Sequence, residues 1–284
     1  MKHAYLIIAH NEFNILKELV ALLDDKRNDI YIHIDKKVKY IPQLNCEYAN
    51  LYVLTQKERL DVRWGHTSQI EVELLLYEIA SKNNIYEYYH LISGVHLPLK
   101  NQNYIHNYFE NCNQQEVLQI MPTNNEEISF KLKRYHLFVR NYMNPNNVIR
   151  IIYKLLWRTA LYFEKCFNIS RENNDKYLKA AQWASITDKA VRFLLNNKSD
   201  LLNEYHNTFC SDEYFLATSL YRHSDIFSIK DCPELLMVQF NRGNPITYTN
   251  EHYMELINSK CLFARKFSES HMDIVEKLYK KNVK

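Results

Sequence analysis

Four residues, Ser211-Asp212-Glu213-Tyr214, open what the hydrophobic spacing predicts as a helix from Asp212 to Tyr221, after the loop Asn207-Thr208-Phe209-Cys210. Two readings of this start stay open. Ser is a preferred N-cap, and acids in a first helical turn gain roughly 0.3 to 1 kcal/mol from the helix dipole. Alternatively, a carboxylate here is a general base placed to take a proton from a hydroxyl. Downstream, Arg242 follows a predicted strand and Arg265-Lys266 lies in Leu262-Phe263-Ala264-Arg265-Lys266-Phe267. Such cations are either solvated surface groups or, bracketed by aromatic residues as here, aimed into a cleft that would take an anion. His10, His33, Asp35 and His66 are the residues a metal could use. Their spacings match no ligand motif, and strand alternation puts His33 and Asp35 on one face, where a lone His reads as a hydrogen-bonded core residue. No metal is expected.

The elements that must position these residues read as an open α/β sheet. His3 to Ala9 and Ile30 to Ile34 are apolar strands, and Phe13, Ile15, Leu16, Leu19, Val20, Leu22 and Leu23 fall at helical spacing between them, a strand-helix-strand unit. In such sheets ligands collect at the carboxyl ends of the strands, here His10-Asn11-Glu12 and Asp35-Lys36-Lys37. Further strands are predicted at Leu51 to Thr55, Tyr88 to Ser93, Glu116 to Met121, Ala180 to Ile186 and Leu235 to Phe240. Helices are predicted at Thr67 to Ser81, Tyr104 to Phe109, Asp188 to Leu195, Glu251 to Ile257 and Asp273 to Lys280. From Glu126 to Lys179 the order breaks into a segment rich in aromatic, basic and Asn residues. The expected organisation is one domain over 1–284: a nucleotide-binding part over about 1–125, a helical insertion over 126–179 and a catalytic part over 180–284.

With only three glycines, Gly65, Gly94 and Gly243, the chain has no glycine-rich dinucleotide fingerprint and no P-loop. A formal charge of +3 is too small to argue for nucleic acid. The six cysteines are scattered without a Cys-x-x-Cys pair and read as free thiols. The chain starts directly on a strand and holds no apolar run able to cross a bilayer, so a cytoplasmic location is expected, the inner face of the membrane included.

The segments Ala4 to Glu12, Ile30 to Lys37, Arg63 to Tyr77, Tyr88 to Lys100, Ala181 to Thr187, Ser211 to Thr218 and Leu262 to Phe267, taken in this order, resemble the core-2/I-branching β-1,6-N-acetylglucosaminyltransferases and the related peptide O-xylosyltransferases, in a short bacterial form. The resemblance implies a nucleotide-sugar-binding glycosyltransferase fold of the A type, with a mostly parallel central sheet and a helical insertion. It implies inverting, metal-independent transfer from a UDP-sugar, with UDP-N-acetylglucosamine as donor, to a hydroxyl of a glycan acceptor in surface polysaccharide synthesis. Absence of any Asp-x-Asp string agrees with a diphosphate held without a divalent ion. Residue by residue, the resemblance puts the catalytic base on Glu213, the diphosphate on Lys266 and Arg242, and nucleoside contacts on His10, Asp35 and Trp64. Asp212, Trp183 and His96 fall on the acceptor side. The chain departs from the family at His96, where relatives carry an acid, and at Ala180-Ala181, where they carry Gly-Ser. Alternatives are a UDP-xylose-dependent transferase of the same fold and an inactive sugar-nucleotide-binding scaffold.

One further segment carries its own signal. In Val148 to Phe163, Arg150, Lys154 and Arg158 recur every four residues while apolar residues fill much of the rest. Either this helix packs its apolar face on the catalytic domain, or it lies on an anionic membrane, where a lipid-linked glycan acceptor would be presented.

Overall fold

A computed structural model describes residues 2–171 and 176–283. In chain order the strands are β1 (His3–Ala9), β2 (Asn28–Ile34), β3 (Asn50–Val53), β4 (Tyr88–Ser93), β5 (Leu97–Pro98), β6 (Glu116–Leu118), β7 (Ser185–Thr187), β8 (Ile229–Asp231), β9 (Leu236–Met237), β10 (Phe240–Asn241), β11 (Asn244–Pro245) and β12 (Phe263–Ala264). The helices are α1 (Phe13–Leu23), α2 (Ser68–Asn83), α3 (Gln102–Glu110), α4 (Asn125–Leu132), α5 (Asn147–Cys166), α6 (Asp188–Asn196), α7 (Lys198–Tyr205), α8 (Phe215–Arg222), α9 (Tyr253–Asn258) and α10 (Met272–Val283).

Seven strands form one sheet in the order β3-β2-β1-β4-β7-β6-β8. Every neighbouring pair is parallel except the two made by β7. The sheet is buried on both faces, which is why β1 and β2 are near-continuous apolar runs. Alternation along β1 sorts its side chains: Tyr5, Ile7 and Ala9 enter a core with α1, α3 and α10, while Ala4 and Leu6 enter a second core with α2, α6 and α8. The chain builds β2 and β3 on one side of β1 and β4 on the other, so the crevice at the carboxyl ends of β1 and β4 is the switch point where ligands collect. Gly94 stands there because a Cβ would come within 2.8 Å of the Ala9 Cβ. The smaller sheet β5-β12-β9 then delivers residues 265–267 to the same end, with the Phe267 amide donating to the Val95 carbonyl at 3.1 Å.

The predicted elements are present with shifted limits, and three differ in kind. Of the strand expected over Ala180 to Ile186, only Ser185–Thr187 is in the sheet, with an isolated bridge from Ala180 to Ile120. The amides of Ala180 and Ala181 turn instead to the carbonyls of Glu213 and Gln119, at 2.9 and 2.8 Å. The helix expected from Asp212 is a 3-10 turn, Ser211–Glu213, followed by α8. Ser211 does not cap it: its hydroxyl is buried with no hydrogen-bond partner among the described residues, and Cys210 enters the turn in the left-handed region at φ 50. The strand expected over Leu235 to Phe240 splits into β9 and β10. Helix α7 and strand β8 escaped the sequence reading, since Lys198–Tyr205 has few apolar positions and Ile229–Asp231 is too short to show a period.

The insertion expected over 126–179 holds most of α4, a 3-10 turn at Val139–Asn141 and α5; its residues 172–175 lie outside the described ones. Packing of the apolar face of α5 on the rest of the chain is limited to Trp157 and Leu161. Val148, Ile151, Ile152, Leu155, Leu156, Tyr162 and Phe163 stay 41% to 66% exposed. The reason is the narrow surface underneath, an aromatic group of Tyr142, His136 and Phe209 that Trp157 covers with help from Leu161 and the Lys154 side chain.

Candidate active site

Glu213 ends the 3-10 turn and is partly exposed. Its Oε2 accepts from Lys131 Nζ at 2.8 Å, with Lys179 Nζ at 3.6 Å, and both lysines also bind Glu127 Oε1, at 2.8 and 2.6 Å. Two carboxylates and two ammonium groups thus hold one another. Burial would raise the Glu127 carboxyl, yet the two lysines pull its pKa down to about 2. Burial alone would lower Lys131, and the bonds to Glu127 and Glu213 hold it above the usual lysine range instead.

Asp212, its neighbour on the turn, makes no ion pair among the described residues. It accepts from Gln69 Nε2 at 3.0 Å, and burial, with the Glu213 charge beside it, pushes its pKa up to about 7. Gln69 also accepts from the Gly65 amide through Oε1 at 2.6 Å, and the Gly65 carbonyl accepts from the Cys210 amide at 3.0 Å. The turn around Gly65 therefore braces the turn that carries the acids. Gly65 has φ 71, and a Cβ there would sit 2.8 Å from the Phe209 ring. One helical turn after Gln69, Glu73 is fully buried, accepts from Gln182 Nε2 at 2.7 Å and is shifted well above the carboxylate range by burial.

The second group lies at the strand ends. Arg265 places its guanidinium 5.1 Å from the Trp183 ring centre, and His96 meets the same ring edge-on at 4.9 Å. Burial lowers the pKa of Arg265 to about 10, and burial with the Arg265 charge keeps His96 neutral. The Ser93 amide donates to His96 Nδ1 at 3.0 Å, so the ring proton resides on Nε2. Among the described residues, His96 Nε2 and Arg265 Nε are both buried without hydrogen-bond partners. Two unused donors beside a cation suit an anionic acceptor. His10, just past β1, lies within electrostatic range of Asp35, Lys37, Lys266 and Arg265. Its pKa is lowered by partial burial first, with Asp35 opposing and the three cations assisting.

The structure therefore gathers His10, Asp35, His96, Trp183 and Lys266 at the carboxyl end of the sheet, and Asp212 with Glu213 on the adjacent turn. The segment 180–183 joins them: Ala180 is bonded to the Glu213 carbonyl and Trp183 lies under Arg265. Asp35 is more occupied than its position at a strand end suggests, accepting from Lys37 Nζ at 2.7 Å, the Lys37 amide at 2.8 Å and the Val62 amide at 3.2 Å. Trp64 goes elsewhere, into the aromatic group beneath α5, 5.9 Å from Tyr142 and 5.5 Å from Phe209. Arg242 stands exposed at the tip of the β10–β11 hairpin at φ 50. Sequence reasoning passed over Lys131, Lys179, Gln69 and Gln182; only Gln69 had a local signal, one helical turn before Glu73. Among the described residues no three of His, Cys, Asp or Glu gather as a metal site.

The sequence model of the Core-2/I-Branching enzyme family matches residues 3–259. No curated protein matches the chain.

Proposed function

The chain belongs to the Core-2/I-Branching enzyme family and is a glycosyltransferase of that type with an A-type α/β fold, and from this premise we propose an inverting, metal-independent transfer from a UDP-sugar, UDP-N-acetylglucosamine first, to a hydroxyl of a glycan acceptor in surface polysaccharide synthesis. One observation carries the reading: a single short segment, 180–183, joins a turn bearing a partly exposed carboxylate to a cationic group at the strand ends.

In the proposed reaction the acceptor oxygen attacks the anomeric carbon from the face opposite the diphosphate. Glu213, oriented by Lys131 on Oε2, receives the hydroxyl proton on Oε1. The bond from the anomeric carbon to the diphosphate breaks and the electron pair leaves with UDP. Arg265, Lys266 and the Nε2 proton of His96 face the charge that grows on the leaving group, which stabilises the transition state more than the ground state. Low-dielectric surroundings strengthen that effect at Arg265. Fixed cations fill the role that a divalent ion has in other nucleotide-sugar enzymes. Arg242 contributes from the hairpin only if the hairpin folds toward bound donor, so Arg265 replaces it as the partner of Lys266.

A panel of UDP-sugars with a mixed glycan acceptor, assayed with and without EDTA, tests the reading. Release of UDP from UDP-N-acetylglucosamine that survives chelation supports it. Activity that vanishes with EDTA and returns with manganese overturns the metal-free mechanism, and a preference for UDP-xylose overturns the donor.

A further inference from the structure

At about 100° per residue, the outward half of α5 carries Val148, Ile151, Ile152, Leu155, Tyr162 and Phe163, an apolar stripe along the whole helix. This reverses the usual arrangement, in which an amphipathic helix hides its apolar side. Arg158 and Lys165 line one flank of the stripe, and Lys154 and Arg150 continue on the same side round toward the underside. The only acidic residue of the helix, Glu164, points inward, where its Oε2 accepts from the Tyr135 amide at 3.2 Å. Beside the helix, Phe138 and Met143 are 45% and 54% exposed, with Phe138 against Tyr153 at 6.3 Å. An exposed apolar face of this extent marks an interaction surface.

We propose that the outward face of α5 docks the protein on an anionic lipid bilayer, with the helix lying in the plane of the headgroups. Charge decides the occupant. A row of cations beside an apolar stripe matches lipid phosphates above hydrocarbon. A second copy offering the same face would bring no carboxylate to these cations, because Glu164 is turned inward. The helix does not span the membrane: among the described residues none is long and apolar enough to do so. Docking through α5 holds the acid-bearing turn near the surface, since Trp157 on its underside meets Phe209, one residue before Cys210, at 5.7 Å. An acceptor carried by a lipid would then reach Glu213 without leaving the membrane.

The test needs neither donor nor acceptor, so it stands or falls apart from the transferase reading. The whole protein is sedimented with vesicles of phosphatidylcholine and with vesicles of an equimolar phosphatidylcholine and phosphatidylglycerol mixture. Binding to the mixed vesicles, weakening as salt rises, is expected. Arg150, Lys154 and Arg158 changed together to Gln should lower that binding roughly tenfold or more. Arg150 bonds Asn147 and Lys154 lies over Tyr142. A second variant, Ile151→Asp with Leu155→Asp, therefore alters exposed positions only and should lose vesicle binding with an unchanged melting curve. Equal partition to both vesicle types, no partition, or binding that survives the aspartates overturns the proposal. So does a self-associated protein that the aspartates make monomeric and that never binds vesicles.

Discussion

Asp212 and Glu213 are neighbours on one turn with opposite electrostatic surroundings: Glu213 has two lysines near it, whereas Asp212 has burial and a negative neighbour. Pairing holds Glu213 in place as the proposed base. Glu213→Gln should keep UDP affinity while turnover falls roughly 100-fold or more, read by steady-state kinetics and UDP titration. Asp212 predicts a different signature. Its folded pKa of about 7 lies above the unfolded carboxylate value, so ionising it costs stability as pH rises from about 4 to 7, at up to about 1.4 kcal/mol per pH unit, and no further above 7. Asp212→Asn, whose carbonyl can still accept from Gln69, should stabilise the protein by an amount that grows over that window and then levels off. Denaturant titrations at pH 5 and 8 compare the two, and a gain larger at pH 5 would falsify the assignment. On the cation side, Lys266→Ala should weaken UDP binding by roughly 1.5 to 3 kcal/mol, as for a lost charge-assisted contact, with calorimetry as the measurement.

Two loops that meet only in three dimensions hold the acids in place. Residues 63–69 and 208–213 lock through the Gly65 carbonyl to Cys210, Gln69 to Asp212 and the Phe209 ring over Gly65. Alanine at position 65 would have to keep φ 71 and displace that ring. Gly65→Ala should therefore cost roughly 1 to 3 kcal/mol of stability and lower turnover as the acid turn shifts, with a smaller change in UDP affinity at the strand ends. Urea midpoints paired with kcat measure both effects; a variant stable as wild type would show that the ring yields freely.

Buried histidines set the acid limit of the whole molecule. His33, His106 and His136 are buried, and burial lowers each pKa to about 4; His3 and His90 are also depressed, by burial first. The unfolded chain takes up these protons near pH 6.5 and the folded one does not. The stability they allow is therefore complete above pH 6.5 and falls as pH drops toward 4, each ring contributing a slope of up to about 1.4 kcal/mol per unit. Carboxyls raised by burial first, Asp212, Glu116, Glu73, Glu164, Glu87 and Glu18, act in the opposite sense but are fewer than the histidines lowered in the same way, which also include His10, His66 and His96. The urea midpoint should fall steadily between pH 6.5 and 4; a rise over that range would mean that the carboxyls dominate.

What the sequence by itself determined is whatever local spacing encodes. Strands β1, β2 and β4, the crossover α1 and the length of α5 were legible because buried parallel strands are continuous apolar runs and amphipathic helices repeat at 3.6 residues. Motif order placed His10, Asp35, His96, Trp183, Glu213 and Lys266 in the candidate site. Tertiary structure alone decided the rest. Lys131 reaches Glu213 across 82 residues, and no periodicity relates the two. Ser211 loses its cap because Cys210 turns left-handed to bond Gly65, and Trp64, expected among the nucleoside contacts, lies against Phe209 and Tyr142 beneath α5. The pattern of α5 showed that it has an apolar face, but only the narrow aromatic surface beneath it decided that this face points outward. Periodicity states which residues share a side of an element; what that side meets depends on contacts between segments far apart in the chain, and those exist only once the chain is packed.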